Sequence, residues 1–135
     1  MSTLRKIAFV YMGILLAAAS LNYIPGLTDS QGRAFGIFAL DIFDDALHVA
    51  SAIWAGTSAA ISTRASRIFL RYFGILYLTD GLLGLATGSG YLDFGIFKYG
   101  VVSLPLTFKI LANLPHIAGG AFAIFSSAYF DTDKR

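Results

Sequence analysis

Long apolar segments alternate along the chain with connections that are richer in polar and aromatic residues. Four of these segments have about the 20 residues that a helix needs to cross a hydrocarbon core. They cover residues 7–24, 44–61, 68–87 and 113–129. A helix satisfies its own backbone hydrogen bonds in lipid. The pattern therefore predicts an all-α fold, an integral membrane bundle of four helices.

Sequence signals mark the ends of these helices. Pro25 and Gly26 end the first helix, because neither residue continues a helix well. Asp44 and Asp45 suit the first turn of the second helix, where the helix dipole favours negative charge. Pro115 is acceptable in the opening turn of the fourth, where its missing N–H is not needed. The second and fourth helices are therefore both predicted to begin just before a histidine.

The predicted connections differ between the two sides of the membrane. Residues 62–67 form a short polar link, whereas residues 25–43 and 88–112 are long and rich in aromatic residues. Loops of this length without structure of their own are uncommon, and aromatic residues favour the headgroup zone. We expect short interfacial or re-entrant helices in the two long connections, or simple belts of anchoring residues.

The two halves of the chain correspond in sequence. Residues 6–15 align with residues 67–76, and both contain Tyr-x-Gly-Ile-Leu. We therefore predict a single transmembrane domain, residues 1–135, built from two repeated helical hairpins at residues 5–61 and 66–130. The alternative is that the short motif recurs by chance in two apolar helices.

A second correspondence joins Asp45-x-x-His48 to Asn113-x-x-His116. Two hairpins that follow one another cross the membrane in the same direction, so a pseudo-twofold axis along the membrane normal relates them, as in parallel repeats. The two histidines are then predicted to lie at the same depth on opposite sides of that axis.

The basic residues predict the orientation. Seven of them flank one side of the membrane and three flank the other, which favours cytoplasmic termini in a bacterial inner membrane. The seven are Arg5, Lys6, Arg64, Arg67, Arg71, Lys134 and Arg135, and the three are Arg33, Lys98 and Lys109.

Composition agrees with a membrane protein. Of the 135 residues, 56% are hydrophobic and 13% are charged, against about 25% charged in a typical soluble domain. The net charge of +2 comes from basic residues at segment ends, which form no patch suited to nucleic acid. Without cysteine the chain has no disulfides and no thiolate metal ligands.

Polar side chains within the predicted spans are the candidate site residues. Such residues usually face the bundle interior and often mark function. His48, His116, Asp80, Asp45 and Asn113, with Asn22, are predicted to converge in one layer of the outer leaflet. The alternative is structural: Asp45 and Asn113 cap helices, and Asp80 pairs with a histidine or a tyrosine.

These residues allow three functions. No catalytic constellation is present, so we expect a non-enzymatic accessory or scaffolding subunit that binds a membrane-protein partner or a second copy through its small-residue faces. Alternatively, His48 and His116 bind a cofactor for electron transfer, with haem b as the leading candidate and quinone or a divalent metal behind it. Asp80 would then accept the second N–H of a ligating histidine. Transport of a small solute or proton is the third interpretation.

The histidine motifs also carry a resemblance. Asp45-x-x-His48, together with Gly56, resembles the second helix of small bacterial four-helix membrane proteins. Asn113-x-x-His116, together with Gly119 and Gly120, resembles the fourth helix of the same proteins. These form a domain-of-unknown-function class that is distantly DoxX-like. The resemblance implies a fold and a membrane location but no activity.

Overall fold

The computed structural model has four long helices, which confirms the predicted all-α fold class. They are α1 (Thr3–Ser20), α2 (Ile42–Ile61), α3 (Thr63–Thr87) and α4 (Leu106–Tyr129). The structure describes residues 1–24, 26, 33–34, 38–39, 42–88, 96–97, 100–101 and 105–132. Within these residues, α1, α3 and α4 are long and apolar enough to cross a membrane. By helix length and composition this is a membrane protein.

Helices α1 and α3 begin earlier than predicted, because a serine caps each of them. Ser2 Oγ accepts a hydrogen bond from Arg5 N (3.4 Å), and Ser62 Oγ accepts one from Ala65 N (3.0 Å). A side-chain oxygen at this position satisfies a backbone N–H that has no partner within the helix. The predicted inner link at 62–67 is therefore reduced to Ser62 alone.

The start of α4 also differs from the prediction. The helix begins at Leu106, seven residues before Asn113, so Pro115 and His116 lie well inside it rather than in its opening turn. Asn113 is not a cap either, because its Nδ2 donates to Lys109 O (2.8 Å) one turn earlier in the same helix. The prediction placed the start of this helix too late, because proline is far more common in the first turn of a helix than in its interior.

Contacts at one end of the molecule fix the direction of every helix. Arg5 Nε donates to Ala59 O (2.6 Å), which joins the start of α1 to the end of α2. Arg67, near the start of α3, donates to Ser127 O near the end of α4 and to Asp131 O (2.6 Å). Successive helices therefore run in opposite directions, and residues 1 and 132 lie at the same end.

Aromatic rings fill the core where α1, α2 and α3 meet. Phe69 is fully buried, and its ring centre lies 4.9 Å from that of Trp54 and 4.9 Å from that of Phe73. Tyr11 packs edge-on against Phe73 with 5.3 Å between the ring centres. Ring pairs in these arrangements are attractive beyond the apolar area that they bury.

Glycines bring the backbones of α3 and α4 into contact. A Cβ atom on Gly74 would lie 2.6 Å from Gly120 O, and one on Gly120 would lie 2.5 Å from Leu78 N. A Cβ atom on Gly81 would lie 2.7 Å from the side chain of Ile117. These small residues therefore pack one helix of this chain against another.

The long connections are described only in part. In the first, Arg33–Ala34 and Phe38–Ala39 pair as two short antiparallel strands, where we expected a short helix. Three glycines in the sequence of this connection, Gly26, Gly32 and Gly36, disfavour a helix, at a cost of about 1 kcal/mol each. In the second connection residues 96–97 are helical, and Gly100 N donates to Ile96 O (3.0 Å). The other residues of both connections lie outside the described part of the chain.

The two hairpins have similar patterns of buried positions, but these patterns match in a different register from the sequence alignment. The alignment pairs buried Tyr11 with Tyr72, which is 54% exposed. A shift of one residue pairs each buried residue of α1 with a buried residue of α3: Leu4 with Ser66, Ala8 with Leu70, Tyr11 with Phe73, Leu15 with Tyr77 and Ala19 with Gly81. In the second helices, Ala52, Ala55, Ser58 and Ala59 correspond to Gly120, Ala123, Ser126 and Ser127, all buried. The repeat itself stays a prediction.

Candidate functional site

A groove of about 620 Å³ lies between α1 and α4 and contains both histidines. Helix α1 lines it with Thr3, Lys6, Ile7, Val10, Tyr11, Ile14, Leu15 and Ala18, and α4 lines it with Pro115, His116, Ala118, Gly119 and Phe122. His48 from α2 and Phe73 and Tyr77 from α3 complete the wall. All four helices thus contribute to one site.

The fold brings the two predicted histidines together. The centres of the His48 and His116 rings are 6.4 Å apart. His48 lies on the buried face of α2, which recurs at helical spacing through Ser51, Ala52 and Ala55. His116 is half-buried on α4. The sequence predicted that both residues lie in one polar layer near helix starts, whereas His116 lies well inside α4.

Asp80 lies beside one of these histidines. Its Oδ2 is 3.6 Å from His116 Nε2, and its side chain is mostly buried. A carboxylate at this position favours a proton on the facing nitrogen and holds the ring orientation. The prediction grouped Asp80 with the histidines, and the structure places it behind His116 rather than on the groove wall.

Tyr77 and Ser51 belong to the site although the sequence did not single them out. The Tyr77 ring stacks on His116 with 5.0 Å between the ring centres and 17° between the planes. Its hydroxyl lies 2.9 Å from Ser51 Oγ. The available signal was spacing, because Ser51 follows His48 by one helical turn and Tyr77 precedes Asp80 by one turn.

Two predicted site residues lie away from the groove. Asp45 is buried at the start of α2 and accepts a hydrogen bond from Tyr23 Oη (2.9 Å). This bond to a carboxylate raises the pKa of the Tyr23 phenol, which lies beyond the end of α1. The Asn113 side chain packs against Gly84 of α3. The side chain of the third outer residue, Asn22, lies outside the described part of the chain.

The groove is apolar between the histidines at one end and Thr3 and Lys6 at the other, and exposed side chains line its open side. Val10 is 60% exposed and Ile14 is 59% exposed, and both are on α1, a helix that could cross a membrane. Apolar side chains exposed on such a helix face lipid. In a membrane this side of the groove would face the lipid.

The site combines hydrogen-bonding rings with apolar walls. Two imidazoles supply N–H donors or nitrogen acceptors, and the buried Tyr77 ring holds one of them, His116, by stacking on it. Among the described residues no group of three or more His, Cys, Asp or Glu side chains is placed to hold a metal ion. A small organic molecule that is planar at one end matches these features.

Comparison of the chain with protein-family models, with curated proteins and with solved structures gives no match. By helix length and composition, the class of protein defined here is a helical membrane protein with a histidine-lined groove. The resemblance to DoxX-like proteins stays a prediction.

Proposed function

We propose that this chain binds a lipid-soluble ring compound of the quinone class in the groove between α1 and α4. The observation that supports this most is that His48 and His116 line the same 620 Å³ groove, whose open side carries exposed apolar residues. Quinones dissolve in the bilayer and present carbonyl oxygens, which accept hydrogen bonds from imidazole N–H groups. A quinone bound at this site would carry electrons.

The residues of the site have distinct parts in this proposal. His116 is oriented by Asp80 at Nε2 and stacked on Tyr77, so its ring position is held from two sides. His48 approaches the same space from α2. The 6.4 Å between the ring centres leaves room for one ligand oxygen between the two imidazoles. That oxygen would accept a hydrogen bond from a His48 N–H, and from His116 Nδ1 when His116 carries a proton on both nitrogens beside Asp80.

The proposal includes a four-helix membrane bundle with both termini in the cytoplasm. Helix α2 is antiparallel to its neighbours and has 20 residues, enough to cross a hydrocarbon core. Its acidic first turn, Asp44 and Asp45, would then lie at the outer surface. Four crossings bring residues 1 and 132 to the same side of the membrane, which agrees with their position at one end of the molecule. The basic residues at that end favour the cytoplasm.

Haem b is the second candidate for the same histidines. An iron bound to one nitrogen of each ring at about 2 Å would separate the ring centres by roughly 6 Å, close to the 6.4 Å found. Against it, His116 turns Nε2 toward Asp80, which leaves the more hindered Nδ1, beside Cβ, for iron. An intense Soret band in the purified protein, lost in His48→Ala and in His116→Ala, would favour haem over quinone.

An accessory or scaffolding role remains a weaker proposal. Of the small residues expected to form its docking faces, Gly81, Gly84 and Gly120 are packed between α3 and α4. A partner would need another surface, such as the exposed Phe125 of α4. Transport of a small solute or proton has no observation in its favour beyond the histidines themselves.

Equilibrium binding of a short-chain quinone to the protein in nanodiscs tests the proposed function. We expect His48→Leu and His116→Leu each to weaken binding by about tenfold, since each removes one hydrogen bond to the ring. His48→Gln keeps an N–H donor and should retain most of the affinity. Thr57→Leu, at an exposed position of the same helix, is the control. Equal binding to all four variants and to empty nanodiscs would refute the proposal.

A further inference from the structure

The groove is longer than a ring at the histidine pair would fill. Along α1 its lining extends from Thr3 to Ala18, which at 1.5 Å per residue is about 22 Å. The helices are antiparallel, and Tyr11 Oη donates to Gly119 O (2.5 Å), so the α1 residues before Tyr11 lie beside the part of α4 that follows Gly119. His116 precedes Gly119 and therefore lies toward the Ala18 end. The stretch from Tyr11 to Thr3 extends away from the histidines.

This stretch, the inner part of the groove, has an apolar wall and a polar end. Ile7 and Val10 on α1 and Phe122 on α4 form the wall. Lys6 and Thr3 close the end that lies at the surface with the chain termini. The lysine can lay its methylenes along the groove while its amine reaches water. Polarity therefore falls from the histidines into the inner part and rises again only at the membrane surface.

We propose that the ligand carries a long apolar chain that lies in this inner part of the groove, alongside Val10 and toward Lys6, with its ring at the histidine pair. This rests on the proposed function. The occupant is an alkylated or prenylated quinone, because its own polarity matches that of the groove: oxygens on the ring and none along the chain. Since the open side of the groove carries exposed Val10 and Ile14, the molecule enters sideways from the bilayer.

The physical chemistry of lipid decides how this must be tested. A chain that moves from the bilayer into an apolar groove gains no hydrophobic free energy, because lipid tails are as apolar as the wall. Chain length alone should therefore change affinity little. A bulky residue in the path of the chain acts by steric exclusion instead, and it discriminates between ligands that need the path and ligands that do not.

Val10→Trp is the variant that blocks the path. Binding is measured in nanodiscs with two quinones that share one ring, one bearing a single isoprene unit and the other a decyl chain. We expect Val10→Trp to weaken binding of the decyl quinone by about tenfold, because the larger side chain overpacks the groove. Binding of the short quinone should be nearly unchanged. Ile53→Trp is the matched control, because Ile53 is 63% exposed against 60% for Val10 and does not line the groove. Thermal unfolding of both variants confirms that they fold.

Three results would overturn the inference. If Val10→Trp leaves both quinones bound as in the wild type, the chain lies in the lipid outside the groove, although the proposed function stands. If it weakens both quinones equally, it acts on the ring site and the inner part of the groove does not hold the chain. If neither quinone binds the wild type, the proposed function fails as well.

Discussion

Two adjacent glycines of α4 have opposite surroundings. A Cβ atom on Gly119 would meet nothing within 4 Å, whereas one on Gly120 would lie 2.5 Å from Leu78 N and 2.7 Å from Gly74 O. Gly119 lines the groove, and Gly120 lies in the contact with α3. At the scale of single residues, absence of a side chain therefore creates space for a ligand at one position and allows close backbone packing at the next.

Alanine substitution at these two positions should have opposite effects on stability. Gly120→Ala pushes α4 away from α3 and should destabilise the protein by about 1–3 kcal/mol. Gly119→Ala has room for its methyl group and should be neutral or stabilising by up to about 1 kcal/mol, because alanine favours the helix. Thermal unfolding followed through Trp54, the only tryptophan, measures both. Equal effects of the two substitutions would contradict the α3–α4 contact.

The histidines were found from the sequence because an ionisable side chain is rare in an apolar segment. Tyr77 and Ser51 were not, because neither is unusual in a membrane helix and their roles depend on contacts across α2, α3 and α4. Asp45 and Asn113 were grouped with the site because each precedes a histidine by three residues. Their side chains contact Tyr23 and Gly84 instead.

At the scale of helices, two arginines make equivalent contacts in the two hairpins. Arg5 of α1 donates to Ala59 O and Ala60 O (3.0 Å) at the end of α2. Arg67 of α3 donates to Ser127 O and Phe130 O (3.1 Å) at the end of α4. Each satisfies carbonyls that a helix end leaves without a partner. This agreement supports the predicted repeat in the shifted register.

Removal of Arg67 should cost more than removal of its counterpart. Arg67 is 7% exposed and Arg5 only partly buried, so Arg67→Ala leaves carbonyls without partners in a more buried setting. We expect Arg67→Ala to destabilise the protein by about 2–4 kcal/mol, Arg5→Ala by less, and exposed Arg64→Ala hardly at all. Thermal unfolding in mild detergent compares them. A loss for Arg64→Ala equal to that for Arg67→Ala would show that charge, not these hydrogen bonds, matters.

Helix number was predictable from the sequence, but helix ends were less so. A long apolar segment is enough to predict a helix, whereas the position of its end depends on a cap or on tertiary contacts. Ser2 and Ser62 cap helices a few residues outside the apolar segments. Pro115 suggested a boundary, yet α4 continues through it. The first long connection contains a strand pair because its glycines resist the helix that its aromatic content suggested.

At the scale of the whole molecule, the four helices leave a largely apolar groove between α1 and α4. The starts of α1 and α3 and the ends of α2 and α4 are joined by arginine contacts at one end, and the histidines lie toward the other. The predicted pseudo-twofold arrangement would bring the histidines of both hairpins to this place. The groove then opens where the first and last helices face one another. In a membrane, a ligand dissolved in the lipid would reach the groove directly.

The central claim, that quinone binds in the groove, is tested most directly by measuring how much quinone two glycine-to-leucine variants retain. Gly119→Leu should fill the groove, and Gly13→Leu is matched to it, because a Cβ atom at either position meets nothing within 4 Å and Gly13 does not line the groove. After expression in a quinone-containing membrane and gentle purification, solvent extracts are assayed by mass spectrometry. We expect quinone to accompany the wild type and Gly13→Leu and to be absent from Gly119→Leu. Equal quinone in both variants would contradict binding in the groove.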